Sequence, residues 1–156
     1  MTGLLPRPRS ESVTEMTEYV LPQHANIRGT VFGGQIMAWV DLCAAMCAQR
    51  HSGRPCVTAF VDDMLFKRPV HVGQVVRLRA EVTATFRTSM EIDVRVEGED
   101  SLTGERWPTV ECRVTFVAMG EDGKPTPVRP LLLATESDRA AQAAAEERRR
   151  ARLAKR

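Results

Sequence analysis

The stretch FGGQIMAWVDLCAAMCAQ, residues 32–49, decides the architecture of this chain. After Gly33 and Gly34, residues 35–49 hold neither proline nor glycine, which predicts a helix. Ile36, Met37, Val40, Cys43, Ala44 and Cys47 recur on one side at the helical period, and the other side is mostly apolar too. A helix apolar all round is expected at the buried centre of a domain. Between Arg28 and Arg50 one side chain carries a formal charge, Asp41, beside Met37, Ala45 and Ala48. An ionised carboxylate in such a place is costly unless it is paired, hydrogen-bonded or opened to a site.

Strand patterns flank this helix. Residues 13–21 alternate upstream of it, and a loop spans residues 22–30. Downstream, the breaker cluster of residues 51–55 precedes a strand-like run at 56–66. Clearer alternation follows: Val76, Leu78, Ala80 and Val82 in residues 74–86; Met90, Ile92, Val94 and Val96 in residues 90–98; Val110, Cys112, Val114 and Phe116 in residues 110–118. Glu91, Asp93, Arg95 and Glu97 are expected on the outer, wet face, since period two gives a sheet one dry side and one wet side. Residues 98–104 supply a hairpin turn, and residues 121–125 close the domain. One strand, a long helix and four further strands predict an α+β fold, an antiparallel sheet wrapped around a single central helix.

At 156 residues and 43% hydrophobic content, the chain has the size of one domain with a real core, which excludes a disordered protein. Only eight residues are aromatic. The longest run without formal charge, residues 29–40, is too short to cross a bilayer. Residues 1–12 read as a flexible leader without the apolar run of a secretion signal. Cys43, Cys47, Cys56 and Cys112 sit in apolar runs, as reduced thiols of a cytoplasmic protein would. The net charge of +2 divides unevenly: residues 131–156 carry +3 and residues 1–130 carry −1. The basic character belongs to an Ala/Arg/Glu-rich tail, expected as a solvated, partly helical extension covering residues 129–156. No RNP-like or helix-turn-helix signature accompanies it, so nucleic acid is not the expected partner.

Several chemistries are disfavoured by spacing. The Gly33-Gly34 pair is not set out as a dinucleotide fingerprint or a P-loop, although the helix amides behind it suit a developing oxyanion. Gly-x-Ser-x-Gly is absent. Cys43, Cys47 and His51 fall at i, i+4 and i+8, but no second ligand pair follows, so no metal is expected. His24, His51 and His71 lie in or beside loops, where solvation is the simplest expectation.

Asn26-x-x-Gly29-x-x-x-Gly33-Gly34, followed by Asp41 on the helix, resembles the hotdog-fold acyl-CoA thioesterases of the broad-specificity bacterial type and their two-domain eukaryotic relatives. The resemblance continues through Val57-Thr58-Ala59, Phe66-Lys67-Arg68-Pro69-Val70, Gly73, Arg87-Thr88-Ser89-Met90-Glu91-Ile92 and Thr103-Gly104-Glu105-Arg106, covering roughly residues 13–128. It implies a five-stranded antiparallel sheet around one long helix, dimers that join two sheets, trimers of dimers, and sites at the dimer interface. It also implies hydrolysis of acyl-CoA to fatty acid and CoA, with no cofactor besides the CoA of substrate and product. The catalytic pair then maps onto Asn26 and Asp41, one from each subunit: Asp41 as general base for water or as nucleophile, Asn26 orienting the water or the carbonyl. Gly33, Gly34 and Gln35 would serve the oxyanion. Thr58, Phe60, Phe66, Lys67, Arg68, Arg87, Thr88 and Ser89 are the expected substrate contacts, the basic and hydroxyl groups for CoA phosphates and adenine. Met37, Phe60, Met64 and Phe66 would set the pocket floor. Two rivals remain: an enoyl-CoA hydratase, for which the helix lacks a histidine until His51, and a non-catalytic acyl-CoA sensor.

Overall fold

The structure, a computed structural model, describes residues 3–156; the first two residues of the expected leader lie outside the described residues. Helix α1 (Gly33–Ser52) touches β1 (Thr14–Tyr19), β2 (Cys56–Val61), β4 (Val75–Thr85), β5 (Ser89–Glu99) and β6 (Arg106–Ala118) of one antiparallel sheet. The strand order is β1-β4-β5-β6-β2, and the two-residue β3 (Leu65–Phe66) adds to β6 beyond β2. The expected second strand is thus broken in two, giving six strands where five were anticipated. Asp62 and Asp63 account for the break: aspartate is a poor strand former, and the Asp62 carboxylate accepts the Asp63 N–H at 2.8 Å. Strand β6 starts four residues earlier than the alternation suggested. A bulge at Thr109 admits Pro108, so the ladder runs on to Arg106.

The core lies between α1 and the inner sheet face. Ile36, Trp39, Val40, Cys43 and Cys47 pack against inward residues such as Leu78, Ile92, Val94 and Phe116. Each such side chain contributes about 1.5–3 kcal/mol by leaving water. The thiols of Cys43 and Cys47 are pushed by burial up to about 11 and about 12, as suits small core residues, and all four cysteines are free. Gly53 ends α1 in the left-handed region (φ 67°), its N–H donated to the Gln49 carbonyl at 2.8 Å. Gly98 is required for contact: a β-carbon there would lie 2.3 Å from the Trp107 indole nitrogen.

Four expectations change. Helix α1 is not covered all round: Met37 is 49% exposed and Leu42 55%, so Met37 belongs to the open side and not to the core stripe. His51 is fully buried, its Nε2 2.9 Å from the Arg129 carbonyl oxygen, and burial holds its pKa below the ordinary value. His24 is half-buried, with Nδ1 accepting the Leu21 N–H and its ring edge-on to Trp39. The leader and tail, finally, hold each other. Arg7 pairs by its backbone with Pro130 and Leu132, a single helical turn spans Arg9–Glu11, and Ser12 is buried.

The charged tail folds back as α2 (Glu136–Leu153), opened by a Thr135–Asp138 capping box. It crosses the outer sheet face. Gln142 exchanges hydrogen bonds with the Thr85 backbone, and Arg148 grips the Glu91 carboxylate through two bonds of 2.7 and 3.1 Å. Arg152 lies over the Phe60 ring at 4.4 Å. Glu91, expected to point into solvent, is therefore only 3% exposed, because the helix covers it and a guanidinium with the Thr83 hydroxyl satisfies it.

Candidate active site

Asp41 sits midway along the open side of α1, where the helical period sets it above Met37 and Ala38 and opposite the edge strand β2. Its Oδ1 accepts a hydrogen bond from the Thr58 hydroxyl at 2.6 Å, the short distance of a charge-assisted bond. Around the pair lies a cavity of about 380 Å³, walled by Gly34, Met37, Ala38, Val61, Met64 and Val114. One carboxylate and one hydroxyl face an otherwise apolar hollow at the start of a helix. Phe32, at the N-cap, offers no side chain to cap the first-turn amides. The Gln35 N–H is donated to the Phe32 carbonyl at 3.0 Å, while Gly34 borders the cavity directly.

Strand β2 does not alternate as its sequence suggests. Thr58 opposes Phe116 and Val61 opposes Val114, but Phe60 opposes Thr115, because Ala59 is bulged out of the ladder. The extra residue turns Phe60 to the outer face, beneath Arg152, and brings Val61 into the cavity in its place. Phe60 is thus removed from the pocket floor anticipated for it. Met37 and Met64 do line the cavity, and Phe66 lies beside it, its ring against Gly33.

Asn26 is not brought to Asp41 within one chain. Its carboxamide organises its own loop: Oδ1 accepts the N–H groups of Arg28 and Thr30 at 2.9 and 3.2 Å, and Nδ2 lies 2.9 Å from the Thr30 hydroxyl oxygen. Ile27, at the tip beside it, is fully exposed. The expected CoA contacts are also parted. Lys67 bonds by its N–H to the Thr109 carbonyl near one end of β6, and the Thr88 carbonyl accepts the Ala118 N–H at the other, about 30 Å away at ~3.3 Å per residue. Arg68 is engaged by Glu105 at 3.0 Å and lies over Trp107 at 4.2 Å. Arg87, exposed, and Thr88 and Ser89, half-buried, form the β4–β5 turn with its neighbouring strand end.

Among the described residues no cluster of three or more His, Cys, Asp and Glu side chains could hold a metal ion. Nor, among them, is any helix long and apolar enough to cross a membrane. Sequence reasoning missed the Val61 and Val114 walls; only the bulge at Ala59, silent in the residue pattern, puts Val61 there.

A mouse protein named acyl-coenzyme A thioesterase 11 is 39% identical over 145 residues, 93% of this chain but 24% of the relative; the chain spans about a quarter to a third of the length of the mammalian relatives it matches. A crystal structure of an apo-hexameric acyl-CoA thioesterase superposes with a TM-score of 0.91 at 39% identity, covering 97% of both chains. An acyl-CoA hydrolase from Staphylococcus aureus, solved with butyryl-CoA, CoA and CoA disulfide, superposes at 0.86 with 30% identity over 96% of this chain and 91% of its own. That hydrolase has also been solved with alanine at an aspartate, at an asparagine 15 residues before it and at a threonine 17 residues after it. The thioesterase superfamily profile matches residues 28–105. With its sheet wrapped on α1 in the hotdog manner, the chain belongs to the thioesterase superfamily.

Proposed function

We propose that this protein hydrolyses acyl-CoA thioesters at a site completed by two copies of the chain. The observation that carries the reading is the Asp41–Thr58 pair, one hydrogen-bonded carboxylate in an apolar cavity at a helix start. The spacing of Asn26, Asp41 and Thr58 equals that of the three positions replaced by alanine in the S. aureus hydrolase.

A thioester needs an activated water and a place for the carbonyl oxygen. Asp41 takes a proton from water, and the hydroxide adds to the thioester carbon. The Gly34 amide, at the positive end of α1, stabilises the tetrahedral oxyanion. Collapse expels the CoA thiolate, which takes the proton held by Asp41 and so restores the carboxylate, and the fatty acid leaves. Thr58 fixes the carboxylate so that its other oxygen faces the water. Asn26 of the second copy orients water or carbonyl.

Three features support a shared site. Asn26 lies outside the cavity in its own chain. The open side of α1 (Met37, Leu42) and the edge strand β2 (Val57, Val61) form an uncovered apolar surface, with Ile27 projecting beside Asn26. Arg87–Ser89 and Lys67–Arg68, parted along β6, can meet one CoA only if they come from different copies. The protein therefore associates at least as a dimer, and trimers of dimers would be consistent with the hexameric relative.

Release of free thiol from a panel of acyl-CoAs, followed with 5,5′-dithiobis(nitrobenzoate), tests the reading. Wild type is expected to liberate CoA, and Asp41→Ala to lose about 10²-fold or more in kcat. Binding without thiol release would make the protein a sensor; a hydrated enoyl-CoA with its thioester intact would make it a hydratase.

A further inference from the structure

Beyond the bulge at Ala59, strand β2 divides its side chains between two hollows. Val61 lines the Asp41 cavity, whereas Phe60 and Asp62 line a separate hollow of about 540 Å³ between β2 and the last turns of α2. Regular pleating onward from Thr58 would reverse this, setting Phe60 in the cavity and Val61 outside. The ring forgoes the drier place. Phe60 is 38% exposed although an apolar cavity of about 380 Å³ lies on the other face of its own strand. Leaving a large apolar side chain partly wet costs free energy that another contact must offset.

Helix α2 supplies that contact twice. The Arg152 guanidinium lies over the Phe60 ring at 4.4 Å, and Ala151 flanks it. Asp62, two residues on, opens into the hollow that also holds Arg148, Arg152, Lys155 and Arg156. In the regular register its carboxylate would leave these four cations and turn toward the apolar side. Both contacts therefore favour the bulge. The helix itself is seated elsewhere, by Arg148 on Glu91 of β5 and by Gln142 on Thr85 of β4, so it can hold β2 from outside. The chain has room for the other register. Residues 62–64 make no ladder pairs and can take up one residue of slack, for the loss of the Asp62 N–H bond to the Arg113 carbonyl at 2.9 Å.

We infer that the end of α2 is a register clamp on β2: Arg152 is a positioning residue that keeps the Phe60 ring out of the Asp41 cavity and so sets how long an acyl chain the cavity accepts. Thr58 precedes the bulge and bonds Asp41 in either register, so the clamp governs the room for the chain and not the reacting groups. The inference rests on the thioesterase reading for the acyl chain, while the position of the ring is testable without any substrate.

The test uses the full chain. Arg152→Ala is expected to raise KM for octanoyl-CoA about tenfold, because only the fraction with an empty cavity binds, and to leave kcat and acetyl-CoA hydrolysis within about twofold of wild type. Arg152→Lys keeps a cation over the ring and retains most of the octanoyl-CoA affinity. Adding Phe60→Ala to Arg152→Ala removes the intruding ring and restores KM, a rescue that a merely structural role for Arg152 would not give. Phe60→Trp places an indole at the clamp for fluorescence. Trp39 and Trp107 are buried, so acrylamide quenching reports the introduced indole. Arg152→Ala in that background should shift its emission to the blue and reduce its quenching. Unchanged quenching, or a KM raised equally for both substrates and not restored by Phe60→Ala, overturns the clamp. If no acyl-CoA is hydrolysed yet the indole becomes shielded in Arg152→Ala, the thioesterase reading fails and the clamp stands.

Discussion

The Thr58 hydroxyl and the Asp41 carboxylate are 2.6 Å apart, and this contact gives the one formal charge between Arg28 and Arg50 a fixed orientation. Thr58→Val keeps the shape of the side chain and removes the donor. Its kcat is expected to fall about tenfold, the cost of a hydrogen bond to a charged group, while Thr58→Ser retains most of the rate. Steady-state kinetics on one acyl-CoA distinguish these, and equal rates in the valine and serine variants would exclude the hydroxyl from the reaction. At this scale Asp41 was legible because it is the lone charge in an apolar run. Thr58, expected as a substrate contact, was placed near the site, but its bond to Asp41 depends on strand register and has no trace in the pattern of residues. Phe60 was misplaced for a related reason: one bulged residue reverses every side chain beyond it.

Among the elements, α1, β1, β4 and β5 follow directly from periodicity, since one face of each meets the core. Helix α2 does not. It buries one alanine, Ala145, and its seat on the sheet depends on Arg148 meeting Glu91, a polar contact 57 residues apart that no period announces. Glu91→Ala leaves the Arg148 guanidinium without its partner in a largely covered position. A loss of roughly 2–3 kcal/mol in unfolding free energy is expected, below the range for fully buried pairs because Arg148 retains some exposure. Limited trypsin digestion should then cut at Arg148–Arg150 well before the sheet is attacked. A variant as resistant as wild type would show that α2 is seated by its other contacts.

For the whole molecule, leader, helix end and tail meet at His51, whose Nε2 faces the Arg129 carbonyl while Arg7 reaches the Arg50 and His51 carbonyls above it. Burial, reinforced by Arg7 and Arg129, lowers the His51 pKa below 6.5. The unfolded chain therefore takes up a proton near pH 6.5 that the folded chain refuses. The stability due to neutral His51 is complete above that pH and declines as pH falls below it, by at most about 1.4 kcal/mol per pH unit. Urea unfolding between pH 5 and 7.5 should show the decline, and His51→Gln should flatten it; an unaltered slope would assign the pH dependence to the carboxylates.

The larger question at this scale is whether one chain makes a site. Asn26 and Asp41 are separated within the chain, and the apolar side of α1 and β2 is left open. Asn26→Ala and Asp41→Ala, each expected to lose most activity alone, can be co-expressed in equal amounts and the mixed assemblies assayed for thiol release from acyl-CoA. If each site draws one residue from each copy, half of the randomly paired dimers carry one intact site out of two, and activity returns to about a quarter of wild type. Activity no higher in the mixture than in either variant alone would contradict a site shared between two copies.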